Sequence, residues 1–570
     1  MKEILFSLRM LLLLFSLYGC IRFLSRYFRI EFCFGICFSL VGSTLFLAGM
    51  LNLLREAAWA IFLLGLFLAG RSVKQKQSAR VLLCPGVAFF LGMGVVLLFL
   101  LRGSIFTGYD NFSHWGLVAK ILTRFDRFPN FSDRNVMFDS YPLGSASFIY
   151  FISEILGNSS EWVMMYAQAM LMVGMLVSLF PFARGWLQSL AALVCALFLL
   201  CGNNSFFDLL VDSLLPIVAL SGLAVCTYEG DKLSEKLWVL IPYSVFLVSI
   251  KNSGALFVVF LLGCAWLLLP EKRRSLKTWL PLLAVPVAVL FLWQKHVSMV
   301  FVEGLMSKHS MSPRYLYNML ERKTLADLGS IIAAMAKAVF TLTNPALWML
   351  LFGLLLYLAA RRLELGKRPG QLLLVAAVSY VCYQIGTLGT YILSMPLDEA
   401  LRLASYSRYH QSILMFTAGL FFLETLTVVN ALPEVRWSKM LRPAVTAVML
   451  VLCFQSIHPH SGFFHRQNSV GSERAKFDNL MEEYNIKADG TYLILVQDER
   501  NDYGYLDHMT MYLLNPRQFL VLKESQLETA QTDGFNYVIA FEQSEEIDAF
   551  MAELGAEDRP VVCLSLPEDN

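Results

Sequence analysis

Ionisable residues are sparse in this chain and gather in a few short stretches, which points to chemistry at one face of a membrane. Asp110 and His114 lie four apart in Tyr109-Asp110-Asn111-Phe112-Ser113-His114-Trp115. On a helix that spacing places both groups on one face, where a carboxylate can take a proton from an attacking hydroxyl and an imidazole can orient it. The alternatives are an N-cap for Asp110 and a packed interfacial side chain for His114. Asp208 and Asp212 repeat the spacing at the start of an apolar run, where negative charge suits either a substrate contact or the helix dipole. Lys251 interrupts a long apolar stretch. The segment Arg402-Leu403-Ala404-Ser405-Tyr406-Ser407-Arg408-Tyr409-His410 brings together two guanidinium groups, aromatic rings and an imidazole. Guanidinium forks match phosphate oxygens, and aromatic planes suit a sugar ring or a lipid neck; an anchor belt of Tyr and Arg at the membrane interface is the competing reading.

The elements that must hold these groups are membrane-spanning helices. Of the 570 residues, 57% are hydrophobic and 16% charged, with a mean hydropathy of +0.57, a balance that a water-soluble globule could not solvate. Apolar runs long enough to cross hydrocarbon lie at about 4–22, 32–54, 56–70, 81–101, 163–182, 187–202, 209–228, 237–250, 254–270, 278–294, 345–361, 371–394, 412–430 and 443–457. The first is read as a retained helix, because no small-residue cleavage site follows it. The run from Leu237 to Pro270 would reach roughly 50 Å as one helix. Its break is expected at Lys251-Asn252-Ser253-Gly254.

Basic connections set the orientation. Arg71, Lys74, Lys76 and Arg80 form one anchor, Lys232 and Lys236 a second, and Lys272, Arg273, Arg274 and Lys277 a third. Arg361, Arg362, Lys367 and Arg368 form a fourth, and Arg436, Lys439 and Arg442 a fifth. All five share the cytoplasmic side if Tyr141 to Gly157 does not cross. That segment has Phe148, Ile152 and Ile155 on one stripe and Ser147, Tyr150 and Glu154 on another, so it reads as a helix lying in the interface. The outer loops are then 102–162, 203–208, the Lys251 break, 295–344 and 395–411. Lys308, Arg314, Arg322, Lys323 and Lys337 in the 295–344 loop run against the charge rule, which long loops obey weakly.

After about residue 458 the chain turns polar. Strand-like runs (Tyr492 to Val496, Phe519 to Leu522, Tyr537 to Phe541, Val561 to Leu566) alternate with helix-like ones (Glu473 to Tyr484, Leu506 to Leu514, Glu545 to Leu554). The fold class is therefore mainly α, a polytopic helix bundle with a small C-terminal extracytoplasmic α/β domain. Its divisions are expected at 1–80 for additional N-terminal helices, 81–457 for the core and 458–570 for the domain. A net charge of +2 argues against nucleic acid. The 11 cysteines show no C-x-x-C pair or zinc spacing and read as small buried hydrophobes, Cys33 and Cys37 included. No metal site is assigned and no cofactor is expected, with a divalent metal left open. There is no G-x-x-x-x-G-K-[ST] loop.

In order, these pieces resemble the GT-C superfamily of polyprenyl-phosphate-sugar-dependent glycosyltransferases, of the protein O-mannosyltransferase and aminoarabinose transferase type. Tyr109-Asp110-Asn111 resembles the acidic motif of that family's first large outer loop, with Asn111 where a second acid often follows. Ser140-Tyr141-Pro142-Leu143-Gly144 resembles its Pro-containing motif, and Asp208-Leu209-Leu210-Val211-Asp212 its outer-face acidic segment. Lys251-Asn252-Ser253-Gly254 and Ser405-Tyr406-Ser407-Arg408-Tyr409 are similar to later outer-loop elements. The resemblance implies inverting transfer from an undecaprenyl-phosphate-type donor to an extracytoplasmic acceptor, a cell-envelope glycan, lipid or protein. Asp110 would be the general base, assisted by His114, because inversion by direct displacement needs one base and no nucleophile. Lys251, Arg402 and Arg408 would stabilise the departing lipid phosphate. Substrate contacts are expected at Tyr141, Asp208, Asp212, Tyr409 and His410. The rival readings are a transporter or flippase, resting on Glu424 and Gln384 within spans, a polymerase or ligase of lipid-linked glycans, and a membrane scaffold whose C-terminal domain binds a partner.

Overall fold

A computed structural model describes residues 2–75, 82–133, 136, 138–202, 206–229, 237–268, 275–301, 313–365, 367–459, 471–486, 490–498, 504–514, 518–556 and 559–564. Among the basic residues used for orientation, Lys76, Arg80, Lys232, Lys236, Lys272, Arg273, Arg274 and Lys308 lie outside the described residues. The chain is a multi-pass membrane protein: among the described residues nine helices are long and apolar enough to cross a bilayer, and six shorter apolar helices accompany them. It folds as two units, Met1–Gly103 with Val118–Arg466, and Ser104–Leu117 with Gln467–Asn570.

In the larger unit every apolar run named above contains a helix, from Lys2–Leu24 through Arg436–Ile457. Several helices start on proline at a first-turn position, where its missing N–H removes no bond: Pro85, Pro345 and Pro369. Four expectations need correction. The run 209–228 is helical only over Leu214–Glu229, so Asp208 and Asp212 do not share a helix face. The run 412–430 begins earlier, the helix spanning Tyr406–Ala431, which carries Arg408, Tyr409 and His410 into its first turns. The 295–344 loop holds two helices, Pro313–Glu321 and Leu325–Val339, the second opened by a capping box between Thr324 and Asp327.

The fourth concerns the interfacial segment. It forms a helix, Gly144–Leu156, but protein covers both of its stripes: Ser147 and Tyr150 are as fully buried as Phe148 and Ile155. Tyr150 and Glu154 find protein partners in place of water. Tyr150 donates to Asp126 at 2.7 Å, and Glu154 accepts from Trp59 at 2.9 Å and pairs with Arg55 at 3.3 Å.

Lys323, one of the cations that ran against the charge rule, is buried. Its ammonium donates to the carbonyls of Met319, Ile392 and Met395 at 3.0, 2.9 and 2.7 Å. A cation there serves the C-terminal end of the Arg368–Leu393 helix, where unpaired carbonyls gather.

The smaller unit is an α/β domain. Strands β1 (Tyr492–Val496), β2 (Phe519–Lys523), β3 (Tyr537–Ala540) and β4 (Val561–Cys563) form one sheet in the order β2-β1-β3-β4. β1 pairs in parallel with β2 and β3, and β4 closes antiparallel on β3. Every residue of β1 is buried, as a central strand covered on both faces requires. Helices Glu473–Glu483, Tyr505–Leu514 and Glu545–Glu553 complete the domain, and Leu493, Leu495, Val538, Ile547 and Met551 form one core cluster.

The segment 104–117 belongs to this unit. Arg474 donates to the Phe106 carbonyl at 2.9 Å, Tyr505 donates to the Thr107 carbonyl at 2.8 Å, and Phe112 packs edge-on against Tyr505.

Candidate functional site

Two helix ends in the larger unit place cations against a carboxylate at a third. Lys251 sits in an extended conformation after the Leu240–Ile250 helix, and the next helix, Gly254–Leu268, starts three residues later. Gly254 permits that reversal: a Cβ there would stand 1.9 Å from the Leu247 carbonyl oxygen. The expected break is thus present and tight.

Asp212 stands just before the Leu214–Glu229 helix. Gln168, buried, holds the preceding segment by donating to the carbonyls of Leu210 at 3.1 Å and Asp208 at 3.4 Å. Ser412 donates to the Asp212 carbonyl at 2.8 Å. Arg408 comes from the first turn of the Tyr406–Ala431 helix, entered through Ser405 in the left-handed region at φ 60°.

Lys251 donates to Asp212 Oδ1 at 3.0 Å, and the Arg408 Nε lies 3.4 Å from Oδ2. Both cations therefore share one carboxylate, whose side chain is 4% exposed. One anion against two cations leaves a net single positive charge in a poorly solvated place, where charge acts more strongly than in water. The Lys251 ammonium also lies over the Tyr141 ring at 5.8 Å and the Tyr409 ring at 5.5 Å, within cation–π range. These groups border a cavity of about 270 Å³, completed by Asn252, Ser253, Leu256, Tyr383, Gly386, Thr387, Thr390, Ser394 and Met395. Arg408 stands behind Asp212 and leaves the Lys251 ammonium as the cation that lines the space.

No protein-family model matches this chain, and no curated protein sequence matches it. Among solved structures it is similar to the crystal structure of ArnT from Cupriavidus metallidurans bound to undecaprenyl phosphate. The identity is 15% and the TM-score 0.41, covering 82% of this chain and 94% of that one. No activity follows from a likeness of that size.

Asp212 and Lys251 lie in breaks outside the spanning helices, and each moves the other. Burial alone would raise the Asp212 carboxyl, but Lys251 and then Arg408 overcome it and hold the group below the usual carboxylate range. Burial alone would lower the Lys251 ammonium, and Asp212 reverses the direction to a net rise. Burial pushes the Tyr141 phenol up to about 12, so it stays protonated and able to donate.

A depressed carboxyl contributes stability above its free value near 3.9, lost as pH falls through the folded value. A raised ammonium contributes fully below its free value near 10.4, lost as pH rises through the folded value. The stability difference between the protein and an Asp212→Asn variant should therefore stay level from about pH 5 to pH 9. Unfolding midpoints measured across that range check this, and a step inside it would contradict the assignment.

Of the residues expected at a site, the structure brings together Asp212, Lys251, Arg408, Tyr141 and Tyr409. Asp208 is half-buried and shares no helix with Asp212. Arg402 is exposed and faces Asp398 at 3.9 Å, because Leu403 and Ser405, both at positive φ, turn the chain between it and the helix. His410 stacks on Tyr406 at 5.3 Å and meets the Tyr380 hydroxyl at 3.1 Å, neither of which borders the cavity. Successive helical residues point about 100° apart, so Tyr409 faces the space and His410 does not.

Asp110 and His114 belong to the smaller unit, where Asn111–Trp115 forms a π turn. Such a turn closes from i to i+5, so the α-helical spacing that paired the two does not apply. His114 is buried beside the Trp115 ring, and Asp110 is half-buried and makes no capping bond to the turn it precedes. π turns recur at functional sites.

The cavity wall that sequence reasoning passed over is Tyr383, Thr387, Thr390 and Ser394. Their spacing of three and four residues lays a stripe of hydroxyls along one side of the span, and that stripe was the available signal. Gln168 left none beyond being a lone amide in an apolar run. Among the described residues no group of three His, Cys, Asp or Glu side chains is placed to hold a metal ion.

Proposed function

We propose that the protein is a membrane glycosyltransferase that moves a sugar, with inversion, from a polyprenyl-phosphate donor to an acceptor outside the cytoplasm. The observation that carries this reading is the Asp212 carboxylate shared by Lys251 and Arg408 at the edge of an aromatic-walled cavity. A donor phosphodiester bears one negative charge, and the cluster has one positive charge to offer it.

In the reaction an acceptor hydroxyl gives up its proton and its oxygen attacks the anomeric carbon. The bond from that carbon to the phosphate oxygen breaks, and polyprenyl phosphate leaves with one further negative charge. Lys251, with Arg408 holding the shared carboxylate, stabilises that growing charge more than the ground state, which is the condition for catalysis. Asp212, held ionised at low pH by two cations, is a weak proton acceptor. The base in this reading is Asp110, on the strength of its place in the acidic motif. Arg402, Asp208 and His410 have supporting roles at most.

Arg408→Lys should weaken donor binding by about tenfold with little change in thermal stability, since a point charge cannot keep the guanidinium's geometry on Asp212. Binding of a polyprenyl-phosphate sugar to the purified protein in detergent checks this, and unchanged affinity would count against the site. The transporter reading retains Glu424, a carboxylate buried in the Tyr406–Ala431 helix. Movement of an intact lipid-linked sugar across vesicles, with no release of polyprenyl phosphate, would favour it.

A further inference from the structure

The C-terminal end of the Gly144–Leu156 helix borders a second pocket, of about 160 Å³, whose lining includes Thr123, Tyr150, Ser153, Glu154 and Asn158. Two of its hydroxyls already donate inside the protein: Tyr150 to Asp126 at 2.7 Å, and Thr123 to the Ala119 carbonyl at 2.9 Å. Each keeps lone pairs to accept with. Trp59 and Arg55 hold Glu154 through Oε1, which leaves Oε2 as a further acceptor. Ser153 is 2% exposed, and its Oγ makes no hydrogen bond among the described residues. A buried hydroxyl in that condition needs a water or a ligand to complete it. The helix end adds the negative pole of its dipole. A lining of acceptors beside a carboxylate matches a group that only donates, and an ammonium ion is such a group.

We propose that this pocket binds the primary ammonium of a zwitterionic phospholipid headgroup, with the phosphate of the same headgroup on Arg9. Asp126 and Glu154 share Arg55, at 3.4 and 3.3 Å, so the cluster carries one negative charge. Arg9 packs on Gly157 at the pocket's edge, where a Cβ would overlap its guanidinium. Among the described residues Arg9 pairs with neither carboxylate. An anion and a cation thus stand side by side, as the two charges of an ethanolamine headgroup do. The volume is well below the roughly 300–1,000 Å³ of pockets that enclose drug-sized ligands, so a small end group enters and the rest of the ligand stays outside. Outside is lipid: Arg9 and Arg55 come from the spanning helices Lys2–Leu24 and Leu54–Lys74, whose apolar windows are mostly unburied. Trp59 is 37% exposed and suits the membrane–water boundary, where headgroups lie. A calcium ion is a poorer fit, because it wants roughly six to eight oxygens and this lining offers one carboxylate.

The test is native mass spectrometry of the purified full-length protein in detergent. It is titrated with phosphatidylethanolamine, phosphatidylcholine and phosphatidylglycerol of identical acyl chains, and separately with free phosphoethanolamine. Phosphatidylethanolamine should be retained at least about tenfold more tightly than phosphatidylcholine, whose trimethylated nitrogen has no N–H to give. Ser153→Ala, which leaves the Arg55 and Trp59 contacts in place, should remove most of that preference. Arg9→Met should weaken retention of phosphatidylethanolamine by a similar factor. Equal retention of the three lipids, or an unchanged preference in both variants, would overturn the proposal. Free phosphoethanolamine binding as tightly as the lipid would also overturn it and assign the pocket to a soluble molecule. None of these outcomes bears on the glycosyltransferase reading, which rests on a different cavity.

Discussion

Asp212→Asn is expected to destabilise the protein by about 3–5 kcal/mol, the cost typical of leaving a buried charge without its partner. The variant keeps the shape of the side chain and its backbone bond from Ser412, yet removes the one anion between Lys251 and Arg408. Their side chains are only 12% and 23% exposed, so water compensates little. Thermal unfolding in detergent measures the loss. Adding Lys251→Met to the variant should restore part of the midpoint, because one unpaired cation is less costly than two facing each other. An Asp212→Asn protein as stable as the original would mean that the cluster is not the electrostatic centre of this unit.

Asp110→Asn should have the largest effect on turnover, lowering sugar transfer by about 10²–10⁴-fold, the range for a general base. Donor affinity should hold, because Lys251 and the cavity are untouched. The substitution is isosteric, so the π turn and its aromatic packing on Tyr505 and Tyr512 should persist. Transfer rates and donor affinity measured on the same preparation separate the two effects. Unchanged transfer would remove Asp110 as the base.

The parts of the structure legible in the sequence are those set by local physics. Hydrophobic length announced the helices, and an apolar run too long for one helix announced the break at Lys251, where Gly254 then proves essential to the turn. Short apolar runs alternating with helix-like ones announced β1 to β4. The meaning of Asp212 was hidden because its partners come from two other helix ends, and spacing along the chain says nothing of a junction closed by packing. The α-helical pairing of Asp110 with His114 failed on a related ground. A π turn is imposed there by Gly116, whose missing Cβ lets the Asn111 carbonyl approach within 2.7 Å of its position, and by rings from the C-terminal unit. Arg402 and Arg408 looked equivalent in sequence, and two residues at positive φ made them different.

The most direct measurement is the release of polyprenyl phosphate from a polyprenyl-phosphate sugar by purified protein, compared between the unmodified chain and Lys251→Met. That variant leaves Asp212 paired with Arg408 and the charges balanced, so it should fold. The account predicts release by the unmodified protein and a fall of at least about tenfold in the variant, the value of one charge-assisted contact to the leaving phosphate. Equal release by both proteins, or none by either, would contradict it.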